Sequence, residues 1–452
     1  MASERGASAG TGAPGLASLP RRERLLFASS SLGSEALLQS RAAWLLYLYA
    51  PPPDSGLPQL LSLGLMGVLL ALMRVLGSFD DAIVGWWSDR TTSRWGRRAP
   101  FIVLGAPAWA LTAALLMNPP EESGTGRIVL WFVLTIQGSN LFAALAGAPY
   151  DALIPEIARR DADRLALASA RVYFGILGAA LGLVASGVLA DRFGIGGMAV
   201  AMSVLALVTR YIGLFGVWKR LDRDGVPAKV GLLEGLKTTF RNGHFRAFLP
   251  AFVCFSAAIG MVIGALPYYA GAILQAADTG RWVSWLSAAA VAGISLGVPV
   301  YGWLARRTSK RQAYRTAMLA TVATLPLLAL VGAAPGLPVP VPAQALAAMF
   351  IGSFALAGAY VFPAALLADI VDEEAHRLGM RREGSYYGAQ GFVDKTTSAV
   401  APVALSGLMM LGNTAAHPLG VRLIGPAAAA VVLAGLWLFR GYALGEPAEG
   451  EG

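Results

Sequence analysis

The chain has 452 residues, 56% of them hydrophobic and 14% charged, with a mean hydropathy of +0.58. Soluble domains carry about 25% charged residues, so a soluble enzyme or binding module is excluded and an integral membrane protein is indicated. The net charge of +9 does not point to nucleic acid, because 26 of the 36 Lys and Arg residues fall in segments on the side of the termini and only Arg127, Arg192, Arg281 and Arg422 on the opposite loops.

That asymmetry is the positive-inside bias. It places both termini in the cytoplasm of a cell membrane, with the lipid bilayer as the surrounding partner. Apolar runs long enough to span, about 20 residues each, lie near 25–50, 57–87, 99–118, 127–153, 167–190, 195–217, 247–274, 283–304, 314–333, 342–368, 386–411 and 420–441. Spanning strands would alternate in polarity over about ten residues, and these runs do not. Helices satisfy their own backbone hydrogen bonds in lipid, so the expected fold is an all-α membrane protein of twelve transmembrane helices. The single cysteine, Cys254, excludes an intrachain disulfide.

In chain order, residues 1–24 read as a flexible cytosolic tail with no apolar core that would mark a cleaved signal. An N-terminal six-helix bundle follows over 25–217, then a cytoplasmic linker over 218–246, a C-terminal six-helix bundle over 247–441 and a cytosolic tail over 442–452. The second and eighth spans end alike, in GWWSDRTTSRWGRR from Gly85 and GWLARRTSKR from Gly302. The fourth and tenth also end alike, in ALIPEI from Ala152 and ALLADI from Ala365. Equivalent exits in equivalent spans indicate two pseudo-symmetric halves, an arrangement typical of secondary transporters that bind solute near the midplane. The repeated loop is expected to act as a cytoplasmic gate built from Gly85, Asp89, Arg90, Arg94, Arg97, Arg98 and Gly302, with Arg382 and Glu383 at the entry to the eleventh span. The two glycines would allow close backbone approach there.

Ionisable groups inside spans are the informative residues, since each costs several kcal/mol at the bilayer centre unless it is paired or faces water. In the first span Glu35 and Gln39 are one turn apart, placed either along a polar cavity or near the interface; Arg41 follows. In the second, Arg74, Gly77 and Asp81 share one stripe at i, i+3 and i+7. A cation there lowers a carboxyl pKa that burial raises, so Asp81 suits proton exchange, with a static Arg74 to Asp81 ion pair as the other reading. Asp80 stands beside it. Asp151 closes the fourth span, Arg171 lies just inside the fifth, where snorkelling is the competing reading, and Arg210 in the sixth is expected to snorkel. The eleventh carries Gly384, Gly388 and Gly391 on one stripe ending in Lys395, next to Asp394. With 31 Arg against 5 Lys, a lysine at that position draws notice, because an ammonium shifts its pKa on burial and a guanidinium does not.

These segments, RVLGSFDDAIVGWWSDRTTSRWGRRAPFI, PYDALIPEIARRDADRLALASAR and RREGSYYGAQGFVDKTTSA, occur in order along the chain. Through them it resembles the glycoside-pentoside-hexuronide:cation symporters of the major facilitator superfamily, a family that includes the melibiose permease and is related to the animal lysophospholipid transporters. The resemblance implies a monomer and alternating-access symport of a small solute such as a sugar or glycoside, coupled to a proton or sodium, with no other cofactor. It places the family's second-helix arginine on Arg74 and its second cation-site aspartate on Asp81, while the first falls on Gly77 and a sodium-binding threonine on Ala144. Those losses favour a proton over sodium, which would otherwise sit at Asp80 and Asp81. It matches the eleventh-helix lysine and glutamine to Lys395 and Gln390, and the fifth-helix arginine to Arg171. The sugar-gripping aspartate falls on Gly147, the tryptophan four residues on falls on Asp151, and Glu35 loosely matches the first-helix sugar aspartate. The expected solute site is therefore Glu35, Asp151, Arg171, Gln390 and Lys395, and the expected coupling site Asp81, Asp80, Arg74 and Lys395.

Loss of sugar-binding carboxylates leaves a lysophospholipid or other amphipath as an alternative substrate. A membrane enzyme finds no support, since His244, His376 and His417 are scattered and no HExxH or GxSxG motif occurs. A non-transporting sensor on the same fold is a third reading.

Overall fold

A computed structural model describes residues 18–80, 98–158, 160–221, 240–333, 338–378 and 400–442, with single positions between 83 and 95 and between 386 and 393. The spanning helices are α1 (Arg21–Tyr49), α2 (Leu63–Gly77), α3 (Ala99–Leu116), α4 (Thr125–Asp151), α5 and α6 within Asp161–Gly216, α7 (Gly243–Ala272), α8 (Thr279–Arg307), α9 (Lys310–Thr324), α10 (Val341–Leu356 and Gly358–Leu378), α11 (Val400–Met409) and α12 (Leu419–Leu438). Among the described residues eight helices are long and apolar enough to cross a membrane. One of these, from Ala166 to Gly216, contains two spans, because Gly194 at φ +73° and ψ 166° breaks the helix between α5 and α6. The polar α1 and the shorter α2 and α11 bring the set to the expected twelve.

Local chemistry sets several boundaries. Ser62, Asn242 and Ser309 accept backbone N–H groups at the starts of α2, α7 and α9, satisfying donors that a helix leaves free. The second span begins at Leu63 rather than 57, because Pro51, Pro52, Pro53, Gly56 and Pro58 cannot continue a helix. The first helix starts inside the expected tail, where Glu23 pairs with Arg220, and the seventh starts at Gly243, ahead of 247. Residues 222–239 of the expected linker lie outside the described set.

Small residues draw the helices together, as they must in lipid, where no hydrophobic difference drives association. On α5, Gly178 and Gly182 press against the backbone of Leu32 and Ala36 on α1, where an added Cβ would come within 2.8 Å of main-chain carbon. The packing obeys a two-fold exchange of each helix with the one six places on. α1 packs on α5 and α6 as α7 packs on α11 and α12, and the α2–α4 contact is matched by α8–α10. Between the halves, α1 meets α7, and the α2–α11 contact has its mate in α8–α5. The repeated exits share an ion pair as well: Arg98 binds Glu156 at 2.7 Å, and Lys310 binds Asp369 at 2.6 Å. Glu156 and Asp369 occupy the same place in ALIPEI and ALLADI.

The halves close at the face opposite the termini. There Tyr268 donates to the Ala50 carbonyl at 2.8 Å, Ser284 to the Val184 carbonyl at 2.7 Å, and the Gly280 N–H to Asp191 at 2.9 Å. The Ala415 N–H donates to Asp54 at 3.0 Å, and Tyr47 meets Tyr268 edge-on at 5.2 Å between ring centroids. Toward the termini Val172, Tyr173 and Ile176 on α5 and Leu296, Val298 and Val300 on α8 are exposed. The hydrogen bonds described between the halves thus gather at the face opposite the termini.

Candidate functional site

The space between the halves is lined by polar groups from the N-terminal bundle. Glu35, midway along α1, lies with its Cγ 3.7 Å from where a Cβ on Gly175 of α5 would stand, within hydrogen-bond reach of Gln39 and electrostatic reach of Tyr360 on α10. Tyr360 is 50% exposed and belongs to the opposite half.

Arg171 of α5 binds Asp151 of α4 at 2.5 Å, and its Nε donates to Ser31 on α1 at 3.4 Å. The Asp151 side chain is 57% exposed and that of Arg171 26%, so an accessible ion pair joins α4 to α5. Gly147, one turn before Asp151, faces open space, with nothing within 4 Å of an added Cβ.

Just past the end of α2, Asp80 is the described carboxylate of FDDAIVG. Asp80 is 6% exposed, and Gln137 of α4 donates to its oxygens at 3.1 and 3.2 Å. Gly77 above it leaves room for Asn140, whose Nδ2 would lie 2.9 Å from a Cβ there. Arg74 is exposed and lies near Arg41 of α1, which donates to Ser139 at 3.2 Å. Asp81, Asp394 and Lys395 are outside the described residues, as are Gly85, Asp89, Arg90, Arg94, Arg97, Arg382 and Glu383 of the expected gate. Gln390 is half-buried in a helical position before α11.

Two gate residues are described. Arg98 holds Glu156 and the Ala152 carbonyl, tying the start of α3 to the exit of α4 within one bundle. At Gly302 an added Cβ would meet the Arg306 guanidinium at 3.9 Å among described residues, and the loop after Gly85 expected to approach it lies outside them.

Arg210 corrects the sequence reading. It does not snorkel but is 6% exposed, donating to Ser34 at 2.9 Å with its guanidinium 4.5 Å above the Tyr150 ring. Tyr150 in turn donates to the Phe27 carbonyl at 2.7 Å. A guanidinium is weakly hydrated and stacks on aromatic faces, so α6 can hold it inside the bundle. Sequence reasoning also missed Gln137 and Tyr360. The Gln137 and Asn140 amides, three residues apart in an apolar run, gave a signal; Tyr360 gave none.

Acids and arginines within the spans of two six-helix halves that meet at the face opposite the termini are the features of a secondary transporter of the major facilitator fold. A family model described as "MFS/sugar transport protein" matches residues 59–416. The chain belongs to this family, within the glycoside-pentoside-hexuronide:cation symporter group of the major facilitator superfamily. It is similar to the isoprimeverose transporter of Lactiplantibacillus pentosus, 24% identical over 87% of this chain and 80% of that protein. The inner membrane symporter YicJ of Escherichia coli is 24% identical over 64% of this chain and 62% of the relative. The crystal structure of the nucleoside transporter NupG (D323A mutant) shares the fold, with a TM-score of 0.66 over 92% of this chain and all of that one at 12% identity. The protein is a multi-pass membrane transporter, not an enzyme.

Proposed function

We propose that the protein is a cation-coupled symporter of a sugar-like solute such as a glycoside, working by alternating access as a monomer in the cell membrane with both termini in the cytoplasm. On this topology the face where the halves meet is the outer one. The observation that carries the reading is Asp80, a carboxylate buried within a membrane span and held by the neutral amide of Gln137; a carboxylate there marks an ion path by default. The names of the similar proteins, a transporter of isoprimeverose and an inner membrane symporter, support the solute class and the coupling.

Asp80 and the adjacent Asp81 carry the cation. A proton is favoured over sodium because sodium needs several converging oxygens, and the family's other cation-site acid is Gly77 here, with Ala144 in place of a threonine. Protonation weakens the hold of the acids on Arg74 and Lys395 and admits solute against Glu35, Asp151, Arg171 and Gln390. The halves then rock about the α1–α7 contact. The cytoplasmic gate of Asp89, Arg90, Arg94, Arg97, Arg98, Arg382 and Glu383 closes behind it.

In proteoliposomes, solute accumulation driven by an imposed pH gradient and abolished in Asp81→Asn is the expected result. Accumulation by the variant equal to the parent would remove the carboxylate from coupling, and a response to sodium alone would replace the proton.

A second reading has its own observation. On the C-terminal side Val262, Leu266, Ile294, Met349 and Tyr360 form an apolar lining around a cavity of about 40 Å³; the lining suits the acyl chain of an amphipath such as a lysophospholipid, which would have to widen the cavity to enter. Only ligands of the native state raise its apparent stability, so melting against sugars and lysolipids separates the two.

A further inference from the structure

The repeated exit loop has lost its acid in the second half. GWWSDRTTSRWGRR carries Asp89, and the equivalent place in GWLARRTSKR is Arg306. Residues 306–315 hold Arg306, Arg307, Lys310, Arg311 and Arg315 and no carboxylate. Lys310 binds Asp369, and Arg311 is buried and donates to the Arg440 carbonyl at 3.4 Å. Arg306, Arg307 and Arg315 are exposed, and among the described residues no acid forms an ion pair with them. Two of the three face the bilayer. Ser287, Ala290 and Ile294 of α8 line the cavity of the C-terminal half; Trp303 and Arg307 follow Ser287 by sixteen and twenty residues, about 160° and 200° around the helix. They therefore point away from the solute space, on an exposed stripe with Leu296 and Val300. On α9, Tyr314, Ala317 and Met318 are buried in the bundle, and Gln312, Arg315 and Leu319 share the opposite, exposed side. The turn of Thr308 and Ser309 joins the two helices. Trp303 and Arg315 each stand six residues from Ser309, about 9 Å along their axes. The headgroup layer of one leaflet is about 5–8 Å deep, so with the turn at the membrane surface both reach its lower edge. The Arg307 guanidinium lies over the Trp303 ring at 4.8 Å.

We propose that Trp303, Arg307 and Arg315 form a docking site for the headgroup of an anionic phospholipid, such as phosphatidylglycerol, in the leaflet on the side of the termini. The inference goes beyond the transport reading and depends on neither the solute nor the coupling ion. A guanidinium fork matches two oxygens of a phosphate, and basic clusters just beyond a span attract anionic lipid. A tryptophan ring settles at the boundary between headgroups and hydrocarbon, and the apolar stripe of Leu296 and Val300 above it receives the acyl chains. Two features set this loop apart from a basic loop that merely records topology. Its one acid position is an arginine, and a guanidinium is already stacked on a lipid-facing ring, which holds the fork at headgroup depth. Glu446, Glu449 and Glu451 at the end of the chain are the competing counter-charge. The lipid is favoured because Trp303 and Arg307 lie on the outward face of α8, continuous with its apolar stripe.

The test uses purified full-length protein in phosphatidylcholine vesicles containing a minor share of lipid brominated high on the acyl chain, either phosphatidylglycerol or phosphatidylcholine. Quenching of Trp303 is read as the fluorescence difference between each protein and its Trp303→Phe counterpart. The expected result is about threefold or more stronger quenching by the brominated phosphatidylglycerol. That preference should be lost in the Arg307→Gln, Arg315→Gln double variant and partly kept in Arg307→Lys, Arg315→Lys. It should also fade in the parent at about 1 M salt, where the screening length falls to about 3 Å; the salt arm needs no substitution at either arginine. Equal quenching by the two lipids in the parent would overturn the site, as would a preference that survives in the glutamine double variant. A preference that appears only when residues 443–452 are deleted would give the surface to the tail instead. Soluble glycerol phosphate at millimolar concentration should leave the preference intact; its loss would make the patch a site for a free anion and overturn the lipid.

Discussion

Gly187 on α5 and Gly280 at the start of α8 face each other so closely that a Cβ on either would overlap the main chain of the other. Substituting Gly187→Leu therefore leaves no sealed arrangement at this point, and α5 and α8 must separate at the closed end. The separation costs the Ser284 to Val184 hydrogen bond at 2.7 Å and the Gly280 to Asp191 bond at 2.9 Å. A neutral hydrogen bond contributes about 0.5–1.5 kcal/mol and one to a charged group about 1.5–3 kcal/mol. Because Asp191 is exposed its bond belongs at the low end, so the two together favour the sealed state by about 2–3 kcal/mol. At 1.4 kcal/mol per factor of ten, losing them shifts the balance between sealed and open by roughly 30- to 150-fold. Spin labels at Ser55→Cys and Thr414→Cys flank the Asp54 to Ala415 contact across the same face, and Cys254 is the one native thiol to remove. The distance distribution between the labels should move from a short population in the parent to a long one in Gly187→Leu. An unchanged short distance in a folded variant would show that the seal does not depend on this contact, and the reasoning would fail.

Three further outcomes follow from the same geometry. Asp80→Asn should keep downhill solute flux but lose accumulation driven by a pH gradient, since the amide cannot take up a proton; accumulation at the parental level in proteoliposomes would count against coupling at this acid. Arg171→Ala and Asp151→Asn should each lower solute affinity by about tenfold while changing stability by less than about 1 kcal/mol, because an exposed ion pair contributes little to folding; a large drop in melting temperature with affinity intact would make the pair structural. The equivalent pairs at the bundle exits should differ, because the Arg98 and Glu156 side chains are 14% and 12% exposed and those of Lys310 and Asp369 are 48% and 36% exposed. Arg98→Ala, which also gives up the Ala152 carbonyl, should destabilise by about 2–3 kcal/mol and Lys310→Ala by less than about 1 kcal/mol in thermal unfolding in detergent.

The division between what the chain declared and what its folding decided follows from the range of the forces involved. The twelve spans were readable because lipid demands about 20 predominantly apolar residues per crossing, and such runs stand out along the chain even where polar residues interrupt them, as in α1. The halves were readable because the exits after Gly85 and Gly302, and after Ala152 and Ala365, repeat along the chain. The stripe of Arg74, Gly77 and Asp81 in the second span was likewise a local reading, drawn from helical periodicity alone. Boundaries were less legible: a run of prolines moved the start of α2 to Leu63, and Gly194 alone separated α5 from α6.

Partner choice was not legible, because it depends on which helices the two-fold packing brings side by side. Periodicity said that Arg210 lay in a membrane span; only α6 packing beside Tyr150 and Ser34 made it a buried guanidinium rather than a snorkelling one. Asp151 and Arg171 are twenty residues apart on different helices, and their ion pair exists because α4 and α5 converge there. Asp80 and Gln137 meet where the chain just past α2 packs on α4. The sequence by itself determined that charges would stand inside the membrane, since burial of an ionisable residue is written in its local context. Only the tertiary structure decided which of these charges would meet, because opposite and like charges are sorted by distances of a few ångströms between segments far apart in the chain.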